Sequence, residues 1–63
     1  VSGYAVLIEG LRDENIRNRY KCFEMLHGLT KLDFGYEHDG EPEEREAAVK
    51  RWEKWWELDR RKP

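Results

Sequence analysis

Apolar side chains at Tyr4, Leu7, Ile8 and Leu11 recur at i, i+3, i+4 and i+7, the spacing that places them on one face of a helix. This predicts a first helix over about residues 3 to 12. Ser2 is its expected N-cap, because a serine hydroxyl accepts from the free amides of a first turn, and Gly10 weakens the helix near its end. Asp13 offers a second N-cap and Glu14 suits the positive end of a helix dipole, so a second helix is expected over about residues 14 to 29. Ile16, Tyr20, Phe23 and His27 form one stripe along it. Cys22, Met25, Leu26 and Leu29 form another, a third to a half turn away. Two apolar faces imply two neighbours, which predicts that this helix lies between the first and the third. Gly28 is a helix-ending signal, although the apolar pattern allows continuation to about Thr30.

Residues 31–41, with two glycines and no helical periodicity, read as an ordered loop. Leu32, Phe34 and Tyr36 alternate within it, so those side chains are expected to turn inward, as compact loops are packed by their own side chains. A third helix is predicted over about residues 42 to 58. Pro42 suits its first position, Glu43, Glu44 and Glu46 its first turns, and Arg60, Arg61 and Lys62 follow its last. Ala48, Val49, Trp52, Trp55 and Trp56 fall on one side of it and mark the buried face. Glu46 to Lys50 and Glu57 to Arg61 add acid-first i, i+4 pairs. Residues 59–63 read as a frayed end. The fold class is all-α, a three-helix module with an antiparallel helix pair covered by a tryptophan-rich third helix. Its expected core is Tyr4, Leu7, Ile8, Leu11, Ile16, Tyr20, Phe23, Leu26, Leu29, Phe34, Val49, Trp52, Trp55 and Trp56.

Composition sharpens this picture. At 63 residues the chain is a single small domain, and such a domain buries only roughly 60% of the surface its unfolded chain exposes. One cysteine, Cys22, rules out an intramolecular disulfide, and no Cys/His cluster has zinc spacing. Dense aromatic packing is what remains to stabilise so short a chain. Charged residues make up 41% of it, yet the formal net charge is only −2. Residues 41–63 carry seven acids and seven bases, without the single-sign excess of a nucleic-acid or anionic-membrane surface. No apolar run reaches the roughly 20 residues of a membrane span, and the start lacks a signal pattern, so the chain reads as soluble with its compartment undefined. Opening on Val1, not methionine, it is expected to be a piece of a longer protein.

Two helices joined by a tight turn, the second opening with Asp13, Ile16 and Arg17, are followed by L-T-K-L-D-F-G-Y from Leu29 to Tyr36. Then come P-E-E-R from Pro42 to Arg45 and A-A-V-K-R-W-E-K-W-W from Ala47 to Trp56. The succession, covering about residues 13 to 57, resembles a segment of bacterial HEAT-repeat-containing proteins. There an L-T-G-x-D-F-G-like loop leads into a helix ending in W-x-x-W-W. This chain departs at Lys31, where the pattern has the glycine that closes the second helix. The resemblance implies an α-solenoid unit, terminal or isolated. Repeats in such arrays touch mainly their neighbours and end repeats need a polar cap, a part the tryptophan helix would play.

Other chemical readings are weaker than their bland alternatives. Asp33-Phe34-Gly35 spells the kinase metal triplet, but the Gly-rich loop, strand lysine and catalytic loop that triplet needs are absent. A turn is expected instead: Asp33 caps, Phe34 anchors and Gly35 supplies an unusual φ. The acids Asp33, Glu37, Asp39, Glu41, Glu43 and Glu44 lack the ligand spacing of a calcium loop. His27, His38 and Cys22 form no readable catalytic set, and no metal, cofactor or catalytic residue is assigned. The tryptophans beside Lys50, Arg51 and Lys54 suggest base stacking or a membrane-surface helix, against which Glu53, Glu57 and the acidic first turn cancel the basicity. The expected function is non-enzymatic: a helical-repeat interaction or capping module whose partners are neighbouring helical repeats or another protein. Val6, Cys22 and Met25 are its candidate partner-facing residues. The alternative is nucleic-acid binding through Arg17, Arg19, Lys21, Lys50, Arg51 and Lys54.

Overall fold

The computed structural model describes residues 3–61, so Ser2 and Lys62 lie outside the described residues. Three helices form, α1 over Gly3–Gly10, α2 over Ile16–Thr30 and α3 over Pro42–Asp59, with no strand among the described residues. The all-α three-helix expectation holds. α1 stops at Gly10, where a turn continues through Arg12. α2 starts later than expected, because Asn15 and not Asp13 is its cap: the Asn15 side chain accepts from the Arg17 amide at 2.8 Å. Asp13 acts one step earlier, its Oδ1 accepting from the Asn15 amide at 2.8 Å. α2 runs past Gly28 and ends on Lys31, held left-handed at φ 64° and ψ 16°, whose amide donates to the His27 carbonyl at 2.8 Å. Pro42 opens α3, as its missing amide hydrogen and fixed φ favour.

The order of packing differs from the expected one. α1, not α2, is the central helix: it packs closely against both α2 and α3, whereas no Cα atoms of α2 and α3 approach within 8 Å. The loop after α2 explains why. Tyr36 is buried and lies on Phe23 of α2, ring centroids 5.3 Å apart, while Phe34 meets Trp52 of α3 edge-on at 4.8 Å. Two aromatics from the loop thus occupy the space that direct α2–α3 packing would fill. The Tyr36 hydroxyl also donates to the Leu11 carbonyl at 2.8 Å, satisfying a backbone acceptor just after α1. Leu32, the third member of the alternating set, stays exposed.

The core is Ile8, Leu11, Leu26, Tyr36, Ala48, Val49 and Trp52, with Tyr4, Leu7, Cys22, Phe23, Phe34, Trp55 and Trp56 partly buried against it. Trp52 is wholly inside, and its indole N–H meets no acceptor. Trp55 and Trp56 reach across to Tyr4 of α1, at 5.4 and 5.5 Å between ring centroids. The third helix thus covers α1 and the loop, and shares one core with Leu26 of α2. Gly10 lets α1 and α2 approach closely, since a Cβ there would overlap Cys22 Sγ.

Three expected core residues lie outside. Ile16 is 46% exposed, Tyr20 45% and Leu29 63%. The rotation of α2 is set by Leu26, from which Ile16 and Tyr20 lie about 80° and 120° around the helix at 100° per residue. Leu29 sits on the opposite flank, beyond the edge of α1. The position between the two apolar stripes falls to Arg19, buried although it is charged. Its Nη1 donates to the carbonyls of Asp13 and Glu14 at 2.9 and 3.0 Å, and its Nε to that of His38 at 2.9 Å. Three backbone acceptors replace the water that the guanidinium loses on burial. Arg19 thereby ties the α1–α2 turn to the long loop.

Candidate interaction surfaces

Cys22, His27 and His38 each have surroundings of their own. Cys22 is part-buried against Gly10, and its thiol is pushed up by burial and then by the Asp13 charge, which leaves it protonated and poorly nucleophilic. This also corrects its expected place on a partner-facing surface. His27 stacks on Phe23 at 5.8 Å and its Nδ1 lies 3.1 Å from the Leu32 carbonyl, while His38 lies against the Tyr20 ring at 4.7 Å. Among the described residues no three His, Cys, Asp or Glu side chains come together as a metal site, and no helix is long and apolar enough to cross a membrane.

Among the described residues the fold leaves apolar surface open in several places, Leu32 apart. The first is the flank of the α1–α2 hairpin. Val6 is 59% exposed, Met25 57% and Leu29 63%. Gly10 sits opposite Cys22, Val6 lies one turn back along α1 from that contact, and Met25 and Leu29 lie one and two turns onward along α2. In a helical hairpin these directions coincide, so the three side chains share one flank. Val6 and Met25 are among the candidate partner-facing residues expected from the sequence. Leu29 joins them because α2 is rotated to bury Leu26 and Arg19.

A second opening, a cavity of about 300 Å³, is lined by Ile16, Arg17, Tyr20, Lys21 and His38 at the start of α2. A third, of about 360 Å³, runs along α3 and is lined by Phe34, Arg51, Lys54, Trp55 and Leu58. Its walls are almost wholly apolar, and Arg51 Nη1 donates to the Phe34 carbonyl at 2.7 Å, fixing one side of it.

The charges of α3 are arranged differently from their order along the chain. Glu46 and Glu53 both turn to Arg12, at 2.7 and 2.8 Å, so Glu46 does not pair with Lys50. Glu57 is taken by Arg60 and Arg61. Hydrogen bonds from Arg12 hold both the Glu46 and Glu53 carboxyls below their ordinary range and hold the Arg12 proton still more firmly. Of the acids expected to cancel Arg51 and Lys54, Glu46, Glu53 and Glu57 are thus already engaged. Of the six cations of the nucleic-acid alternative, Arg19 is buried on carbonyls and cannot contact phosphate.

No family model, curated protein or solved structure matches this chain.

Proposed function

We propose that this chain is a non-enzymatic interaction module of the helical-repeat kind, whose α1–α2 flank packs against a neighbouring helix pair of its own chain or of another protein. The observation that supports this most directly is the shared flank of Val6, Met25 and Leu29, each more than half exposed. Such a patch has no role inside the fold, and contiguous exposed apolar surface marks contact with a partner. The opposite side of α1 is covered by α3, whose outer surface is mostly charged, as a capping helix requires.

Photocrosslinking tests this reading. Benzoylphenylalanine is placed at Met25 or Leu29, and at Glu43 as an exposed control, in cells that make the protein in its native setting. The reading expects crosslinks from Met25 and Leu29 to a helical segment with an apolar stripe, identified by mass spectrometry. Yields at Met25 and Leu29 no higher than at Glu43 would overturn it.

A further inference from the structure

We propose that the cleft along α3 is a second, independent docking site, and that it takes a short acidic peptide segment with one bulky apolar side chain. Phe34, Trp55 and Leu58 form its apolar walls, and Arg51 and Lys54 stand at its edge. At about 360 Å³ the cleft lies near the small end of ligand pockets, room for one large side chain and little more. Leu58 is 57% exposed and Trp55 half-buried, so the walls are open to solvent before anything binds.

The charge at the rim selects the occupant. Among the described residues no carboxylate lies within 4.0 Å of Arg51 or Lys54. Their nearest acidic candidates on α3 are committed elsewhere, Glu53 to Arg12 and Glu57 to Arg60 and Arg61. Arg51 uses one N–H on the Phe34 carbonyl, and a guanidinium has five. Arg51 and Lys54 are three residues apart on one helix, about 4.5 Å along its axis. Residues three apart are neighbours on a helix surface, so both cations can meet carboxylates of one short segment whose apolar side chain fills the cleft. A site with open apolar walls and a cationic rim matches a segment that carries an apolar side chain and acids at once.

A nucleic acid is the competing polyanion, and the distribution of charge argues against it. Affinity for a polynucleotide comes from neutralising a run of phosphates, whereas here two cations stand together. A strand continuing towards the start of α3 would meet Glu43 and Glu44, about 10 Å from Arg51 along the helix. A short peptide ends before it reaches them.

The test is a titration of the 15N-labelled 63-residue chain, read at the indole N–H resonance of Trp55. Three probes are used: an acetylated peptide of sequence Glu-Asp-Phe-Glu-Asp-Leu, the same peptide with lysine for every acid, and a thymidine decanucleotide. The acidic peptide is expected to shift the Trp55 resonance saturably and the lysine peptide to leave it unmoved. Lys54→Glu, a change at an exposed side chain, is expected to weaken the acidic peptide about tenfold or more, which is ~1.4 kcal/mol. Lys54→Gln is expected to fall between the two, and thermal melting of each variant establishes that it folds. No Trp55 shift with the acidic peptide, equal affinity in parent and Lys54→Glu, or tighter binding of the decanucleotide at the same resonance would each overturn the proposal. Crosslinking from Met25 is read separately, so failure at this cleft is distinguishable from failure at the hairpin flank.

Discussion

Arg12 and Glu46 form a two-pronged ion pair, with Arg12 Nε and Nη2 donating to Glu46 Oε1 and Oε2 at 2.9 and 2.7 Å. Arg12 lies in the turn after α1 and Glu46 in the first half of α3, so the pair fastens the end of the central helix to the tryptophan helix. Glu53 adds a second carboxylate, 2.8 Å from Arg12 Nη1. All three side chains keep substantial solvent contact, which places the coupling of each pair at about 0.5–1 kcal/mol. A double-mutant cycle with Arg12→Met and Glu46→Gln, followed by urea denaturation, measures it.

The same network predicts an acid limb in the stability profile. Hydrogen bonds from Arg12 depress the Glu46 and Glu53 carboxyls in the folded chain below their ordinary value near 4.5. Their contribution is therefore complete above that value and is lost as the pH falls through the lower folded values. Thermal melts of the parent from neutral pH downward should show a decline below about pH 4.5. Arg12→Met should flatten that decline and change the neutral-pH stability only modestly.

Trp52 offers a contrast between two substitutions. Trp52→Ala removes the largest fully buried side chain and should cost about 3–5 kcal/mol, enough to abolish cooperative folding in so small a domain. Trp52→Phe keeps a ring against Phe34 and removes an indole N–H that has no acceptor. An unmet buried donor is itself costly, so Trp52→Phe should stay within about 1–2 kcal/mol of the parent by chemical denaturation.

Lys31 occupies a left-handed backbone conformation at the end of α2, with φ at 64°. An L-residue there is disfavoured by about 1–2 kcal/mol, and glycine is not. Lys31→Gly should raise the melting temperature, by an amount equivalent to roughly 1 kcal/mol after the entropy of the more flexible unfolded chain is subtracted. Phe34 is also left-handed, at φ 55°, but its ring packs on Trp52, so Phe34→Gly should destabilise. The opposite signs at two positions of similar φ, read in the same melting experiment, separate backbone strain from packing.

Gly10 and Cys22 are coupled by close approach. A Cβ on Gly10 would overlap Cys22 Sγ and lie 3.2 Å from Cys22 Cβ. Gly10→Ala should destabilise the parent, whereas in a Cys22→Ala background, where the sulfur is gone, the penalty should shrink. The cycle of the two changes, measured by urea denaturation, should therefore give a favourable coupling.

The sequence makes the helices legible because apolar spacing acts locally. The ends of α2 are not legible in the same way: Asn15 caps it in place of Asp13, and it runs past Gly28 to Lys31. Pro42, Gly10 and the charged first turn of α3 each work within one turn of helix. The arrangement of the helices is less legible, since it is decided by side chains with no periodic signature. Tyr36 and Phe34, two residues apart in a loop, come between α2 and α3 and make α1 central. Arg19 reads as a surface cation, yet three carbonyls supplied by two different loop segments draw it inside and fix the rotation of α2. That rotation exposes Ile16, Tyr20 and Leu29, all of which carry a core-like spacing. Val6 and Met25 stand out in the sequence as apolar positions free to face outward, but their sharing a flank with Leu29 does not. The α3 cleft was hidden by near-neutral local charge, because the engagement of Glu53 by Arg12 joins residues 41 positions apart in the chain.

A single core holds α1 between α2 and α3 and leaves the hairpin flank uncovered. Native-state hydrogen exchange at the Ile8, Leu26 and Val49 amides, one in each helix, tests it most directly. All three are expected to open with the same free energy, and Trp52→Phe to shift the three in parallel. Exchange at Val49 through an opening of its own, with Ile8 and Leu26 still protected, would contradict it.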